Sequence, residues 1–302
     1  MEFCPDFQEL ERVLERQVPS RPVLFEFMIG DGTLQHFLAE GGDPAAGGPL
    51  DLAARFRAHA LAGYDFACVH AGAFRFPWGE QSSARTVSQN EGAVILDRAS
   101  LDAYPWPDPN AFDLAPFRDT LASMPSGMKA IVCSPCGILE NVVALAGFES
   151  LCMMLYDEPG MAADLFEQVG SRILGYFRRA LEVPGVGALM CNDDWGFKTQ
   201  TMIPPESLRS LVFPWYRRIV AMAHGKGVHA LLHSCGNNRD IVDDILLDMR
   251  FDGLHSFEDN IQPVEEAYSR LKGRIAILGG LDVGFLVEGP PEAIRTRAED
   301  ML

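Results

Sequence analysis

Two residues of this chain are spaced to share one ion. In Leu231-Leu232-His233-Ser234-Cys235-Gly236, an imidazole and a thiol stand two positions apart. Residues i and i+2 of a strand project to the same side, so both groups could face one metal. Imidazole and thiolate are ligands that zinc accepts, and a catalytic zinc uses about three protein ligands with one position left open. The same spacing also suits a buried core histidine beside a small apolar cysteine. Position favours the metal: His233 and Cys235 close an apolar run and precede Gly236-Asn237, as at the end of a strand. The third ligand could be Glu258, Asp282, Cys133, or a residue on a strand beyond this chain.

Other segments carry weaker signals. In Asn192-Asp193-Asp194-Trp195-Gly196 the paired carboxylates could orient a ligand, move a proton or bind substrate. Aspartates in such places also cap helices and turns. Cys133-Ser134-Pro135-Cys136 has the spacing of a redox dithiol, but two small residues in a tight turn is the simpler reading. Phe74, Phe76, Trp78, Trp195 and Phe197 could line a pocket or pack a core. Gly279-Gly280 has the look of a turn where backbone approaches something closely.

These residues need strands to present them. Seven short apolar runs read as strands: Val23–Ile29, Phe66–His70, Lys129–Ser134, Ala188–Asp193, Val228–Ser234, Gly253–Phe257 and Ile275–Gly279. Continuous rather than alternating apolarity suits parallel strands covered by helices on the outside. Helical patterns fill the gaps at 50–62, 138–155, 158–181, 205–226, 240–249, 263–271 and 291–302. The rhythm predicts a single α/β domain over 1–302, a TIM (β/α)8-type barrel whose eighth strand is missing from the chain. The stretch at about 73–126 reads as an excursion from the rim. Catalytic groups of such barrels sit where strands end. There the polar residues gather: Glu26, His70, Cys133, Cys136, Asn192, Asp193, Asp194, His233, Cys235, His255, Glu258, Asp259 and Asp282.

Composition limits the partners. The formal charge is −17 over 302 residues, which repels phosphate backbones and excludes nucleic acid as the expected partner. No long uncharged apolar run predicts a membrane span, and the first residues lack the apolar stretch of a signal peptide. Seven cysteines in a chain this long do not form a secreted disulfide framework. A cytoplasmic protein is the expectation.

The stretch 191–283 resembles the uroporphyrinogen decarboxylase superfamily. The resemblance rests on Asn192-Asp193-Asp194-Trp195-Gly196, on Pro204-Pro205-Glu206 through Phe213-Pro214-Trp215, and on His233-Ser234-Cys235-Gly236-Asn237 with Leu278-Gly279-Gly280-Leu281-Asp282. It implies a TIM barrel. True uroporphyrinogen decarboxylases are cofactor-free and hold their substrate's carboxylates with an arginine-rich motif near the first strand. Here that region reads Arg21-Pro22-Val23-Leu24-Phe25-Glu26-Phe27, without the motif. The chain is more similar to the methylcobamide:coenzyme M methyltransferase branch. That branch implies zinc on His233 and Cys235 and a methyl group passed between a partner corrinoid protein and a small-molecule thiol. A homodimer is a further implication. In this reading Asp193 and Glu258 are catalytic, and Glu26, His70, Asp194, Trp195 and Asp282 bind substrate. A decarboxylase and a non-catalytic ligand-binding barrel are the alternatives. The branch's later cysteine ligand has no counterpart, since no cysteine follows Cys235.

Overall fold

The computed structural model describes residues 3–79 and 88–301. Its centre is a parallel sheet of six strands: β1 (Phe66–Val69), β2 (Lys129–Cys133), β3 (Val186–Asn192), β4 (His229–His233), β5 (Gly253–His255) and β6 (Ala276–Ile277). They lie side by side in chain order, every neighbouring pair parallel. Consecutive order with helical crossovers is the wall of a (β/α) barrel. Among the described residues no ladder joins β6 to β1, so the wall is an open arc.

The helices are α1 (Phe7–Leu14), α2 (Asp31–Glu40), α3 (Leu52–Leu61), α4 (Arg98–Ala103), α5 (Ala115–Ser123), α6 (Ile138–Ala146), α7 (Phe148–Asp157) and α8 (Pro159–Ala180). The run α9 (Pro205–Ser207) and α10 (Phe213–His224) follows, then α11 (Val264–Leu271), α12 (Val283–Glu288) and α13 (Pro291–Asp300). No single helix among the described residues is long and apolar enough to cross a membrane.

Strand alternation divides the core in two. One set of side chains, among them Ala67, Val132, Leu189 and Leu232, packs outward against α6, α8 and α10. The other set, including Phe66, Ile131, Met190, Leu231 and Leu278, points inward. The inward set meets α1, whose Phe7, Leu10 and Leu14 recur at the spacing of one helix face and are fully buried. Each such side chain removed from water contributes about 1.5–3 kcal/mol. The Asp6 side chain caps α1 by accepting from the Gln8 N–H.

Four elements differ from the sequence expectation, among them the helix predicted over 240–249, which is a 3-10 turn at Arg239–Ile241 and a π-helical stretch at Asp244–Met249. The predicted first strand, 23–29, has no ladder partner; it is an extended segment that lays Phe25 against Phe66 and His255, and Phe27 against His233. The helix predicted over 138–155 breaks at Gly147, whose φ of +79° is open to glycine and strained for other residues, and α6 and α7 meet there at 96°. The helix predicted over 205–226 carries a π-helical stretch, Leu208–Val212. Pro214, just beyond it, has no N–H to give to the residue four back, which favours the wider ladder. The rim excursion contains α4 and α5; its residues 80–87 lie outside the described residues.

Candidate metal centre

β3 and β4 run in register, with Asn192 opposite His233, and β4 and β5 place His233 opposite His255. The chain leaves β3 through Asp193 and Asp194 and leaves β4 through Ser234 and Cys235. Alternation sends Asp193 and Ser234 outward; Asp194, His233 and Cys235 come together at the mouth. One ligand atom from each lies within 4.8 Å of the others. His233 Nε2 is 3.6 Å from Cys235 Sγ and 3.9 Å from Asp194 Oδ1. The Cys235 N–H donates to Asp194 Oδ1 at 2.8 Å and holds that carboxylate in place.

The donor set fits zinc. With Zn–N near 2.05 Å and Zn–S near 2.3 Å, tetrahedral ligands stand about 3.6 Å apart for N and S and about 3.4 Å for N and O. The nitrogen–sulfur pair already has that separation, and the nitrogen–oxygen pair would close by about half an ångström. Three protein donors leave one tetrahedral position for a substrate atom. Electrostatics support a cation here. Burial, then the Asp194 carboxylate, pushes the Cys235 thiol up to about 12, so a cation is needed to make thiolate at neutral pH. Burial lowers the His233 imidazole against the pull of Asp194, and burial and His233 take His255 down to about 3. Both rings are therefore neutral and keep a lone pair at neutral pH.

Asp194, expected to bind substrate, is thus the third potential ligand, and the three protein residues named beforehand for that role are elsewhere. Cys133 is buried in the inward core. The Glu258 carboxylate accepts the Gly236 N–H at 3.1 Å, holding the loop beside Cys235 from an exposed position. Asp282 caps α12 through the Phe285 N–H and accepts the Asp259 N–H.

Two other residues expected at the site lie away from the mouth. Asp193, read as catalytic, is wholly buried on the outer side of β3. Its oxygens accept the Leu139 and Glu140 N–H groups at 3.0 Å each, and the Trp195 Nε1–H and Tyr216 O–H at 2.9 Å each. It therefore anchors the N-terminus of α6, where the helix dipole favours a negative charge. Gly137 makes this possible: a Cβ there would sit 2.1 Å from the Asp193 Cγ. Trp195, read as substrate-binding, is buried between Phe213 and Tyr216. Of the others, Glu26 is half-buried and accepts the Phe27 N–H, and its carbonyl accepts from Cys68 Sγ. His70, three strands from β4, pairs its Nδ1 with the Cys133 carbonyl.

His255, counted in the sequence among the polar strand-end residues without a role, is the partner of His233. His255 Nδ1 lies 2.6 Å from His233 Nδ1, and the rings lie 4.9 Å apart. Each closes its observed strand, β4 or β5, and the two stand opposite each other in the ladder.

Comparison with known proteins fits this architecture. A solved structure of a methyltransferase from Methanosarcina mazei aligns with a TM-score of 0.65 over 96% of this chain and 87% of that one, at 15% identity, a likeness of fold. A curated uroporphyrinogen decarboxylase of Anaeromyxobacter dehalogenans is 28% identical over 156 residues, 52% of this chain and 42% of the relative, so the match spans less than half the length of that protein. The family model for uroporphyrinogen decarboxylase (URO-D) matches residues 102–302, more than half of the chain. The chain therefore belongs to the uroporphyrinogen decarboxylase (URO-D) family.

Proposed function

We propose that this chain is a zinc-dependent enzyme of the methyltransferase type, passing a methyl group between a corrinoid protein and a small-molecule thiol in the cytoplasm. The observation that carries the reading is the convergence of His233 Nε2, Cys235 Sγ and Asp194 Oδ1 at the barrel mouth. An imidazole, a thiol and a carboxylate converging on one point form a donor set suited to zinc. Zinc held there would supply the positive charge that keeps a substrate thiol as thiolate at neutral pH. His233 and Cys235 would fix its position. Asp194, held by the Cys235 N–H, would offset its charge and leave one position to the incoming sulfur. Phe27 packs on the His233 ring at 4.7 Å between centroids. A corrinoid partner would supply the methyl group, and the thiol's proton would leave to solvent as its sulfur takes the methyl.

The test uses free methylcobalamin as donor and dithiothreitol as acceptor, followed by the cobalt absorbance. Zinc-loaded chain is expected to demethylate the donor, and Cys235→Ala and Asp194→Ala to lose that rate. Metal-independent turnover of uroporphyrinogen, unaffected by Cys235→Ala, would establish the decarboxylase alternative instead.

A further inference from the structure

The mouth contains a second imidazole for which neither the ligand set nor the methyl transfer has a use. His255 ends β5 directly opposite His233 in the β4–β5 ladder. The contact between them joins Nδ1 to Nδ1 at 2.6 Å, a hydrogen bond that needs one proton between two identical atoms. A neutral imidazole carries one N–H and one lone pair, so one ring donates and the other accepts. The remaining atom of His233, Nε2, is the one that faces Cys235 Sγ and Asp194 Oδ1. For Nε2 to offer a lone pair there, the proton of His233 has to sit on Nδ1.

We propose that His255 is a positioning residue that accepts this proton's hydrogen bond, fixing His233 as the Nδ1–H tautomer with Nε2 aimed at the metal site. The assignment rests on the zinc reading for its purpose, though not for its geometry. Ligating histidines characteristically donate their second ring N–H to an outer partner, which sets tautomer and orientation. That partner is usually a carboxylate or carbonyl; here it is another imidazole.

The surroundings hold His255 in this role. Phe25 packs on its ring at 5.6 Å between centroids while Phe27 packs on His233 at 4.7 Å. The extended segment 23–29 thus packs on both rings through Phe25 and Phe27, two residues apart. The His255 ring also lies close to Gly279. A Cβ at that position would fall 3.0 Å from His255 Cδ2 and 3.2 Å from Nε2, and φ is +92°. The Gly279-Gly280 turn, conspicuous in the sequence, thereby acquires a purpose: it leaves room for the imidazole that orients the ligand.

The experiment reads the tautomer first, on metal-free protein labelled with 15N-histidine, from long-range proton–nitrogen correlations. His233 is expected to carry its proton on Nδ1 and His255 on Nε2. His255→Leu keeps bulk without an acceptor, and His255→Asn returns a carbonyl oxygen near the position of Nδ1. Zinc affinity, measured by competition with a chromophoric chelator, is expected to fall about 10–100-fold in His255→Leu, the usual cost of removing an outer partner. In His255→Asn it is expected to recover to within a few-fold, with the His233 tautomer restored. A proton on His233 Nε2 in the metal-free wild type would overturn the proposal. So would an affinity unchanged by His255→Leu. Failure of the wild type to bind zinc would overturn the metal reading instead, and the tautomer measurement would still decide the role of His255.

Discussion

Asp193 and Asp194 are adjacent in sequence, yet their carboxylates have separate tasks, and substitution should separate them. Asp193 accepts four hydrogen bonds inside the outer core, and the donors are two backbone N–H groups of α6, an indole and a phenol. Asp193→Ala leaves all four without a partner, and each such buried donor costs about 1–3 kcal/mol. The costs are not additive; removing one side of a buried charged network typically destabilises by about 3–5 kcal/mol, which is our expectation here. That is a large share of the about 5–15 kcal/mol that holds a domain folded. Asp193→Asn should cost less, about 2 kcal/mol, because its carbonyl can still serve the three donors now on Oδ2 while its amide faces the Glu140 N–H. Asp194 is half-exposed and accepts the Cys235 N–H. Asp194→Asn should cost no more than about 1 kcal/mol in stability, but should lower zinc affinity by more than the about 100-fold that an outer partner commands. Urea unfolding of the metal-free variants and chelator competition measure the two effects. The reasoning is refuted if Asp193→Asn is as stable as wild type but loses zinc, or if Asp194→Asn unfolds as readily as Asp193→Ala.

Three further outcomes are expected. Gly137→Ala should destabilise the chain at least as much as Asp193→Asn, by about 2 kcal/mol or more, because its Cβ would occupy the carboxylate's place; an unchanged urea midpoint would contradict the close approach. His59 is buried and held neutral, its pKa lowered by burial while its Nδ1 pairs with the Arg55 carbonyl. Below about pH 6.5 the unfolded chain takes up a proton that the folded chain refuses, so stability falls by up to about 1.4 kcal/mol per pH unit until the lowered folded value is passed. The stability difference between wild type and His59→Gln should change with that slope below pH 6.5, and a pH-independent difference would count against it. Asp252 is depressed: burial works against its charge, but His229, the Ala230 N–H and His224 outweigh it. Its contribution is present above the unfolded carboxylate value of about 3.9 and is lost as pH falls below that toward the folded value. Acid unfolding profiles of wild type and Asp252→Asn should therefore converge below pH 4 and stay parallel above it.

Much of the barrel was legible because parallel strands covered on both sides need unbroken apolar runs, and the six strands occupy six of the seven runs so identified. The seventh, Val23–Ile29, has the same composition but serves differently: its aromatics fill the space beside the histidines without a strand to pair with. Composition records apolarity, and only a neighbouring strand makes a ladder. The break at Gly147 is a matter of one φ angle, invisible to a periodicity that continues on either side. At the site, His233 and Cys235 were legible from spacing. Asp194 was available from parity, because it shares the inward alternation of Met190 and Asn192, while Asp193 belongs to the outward set. Reading the two aspartates as a pair hid that difference. Trp195 was ambiguous for a different reason, since an indole that donates to a buried carboxylate looks in sequence like one that binds a ligand.

The central claim is that His233, Cys235 and Asp194 hold one zinc. Zinc K-edge X-ray absorption on the metal-loaded chain addresses it most directly, since it counts sulfur against lighter ligands. The account predicts one zinc per chain with a single sulfur at about 2.3 Å and nitrogen or oxygen neighbours at about 2.0–2.2 Å, the sulfur shell vanishing in Cys235→Ala. A chain that takes up no zinc, or a zinc whose shell is the same with and without Cys235, would contradict it.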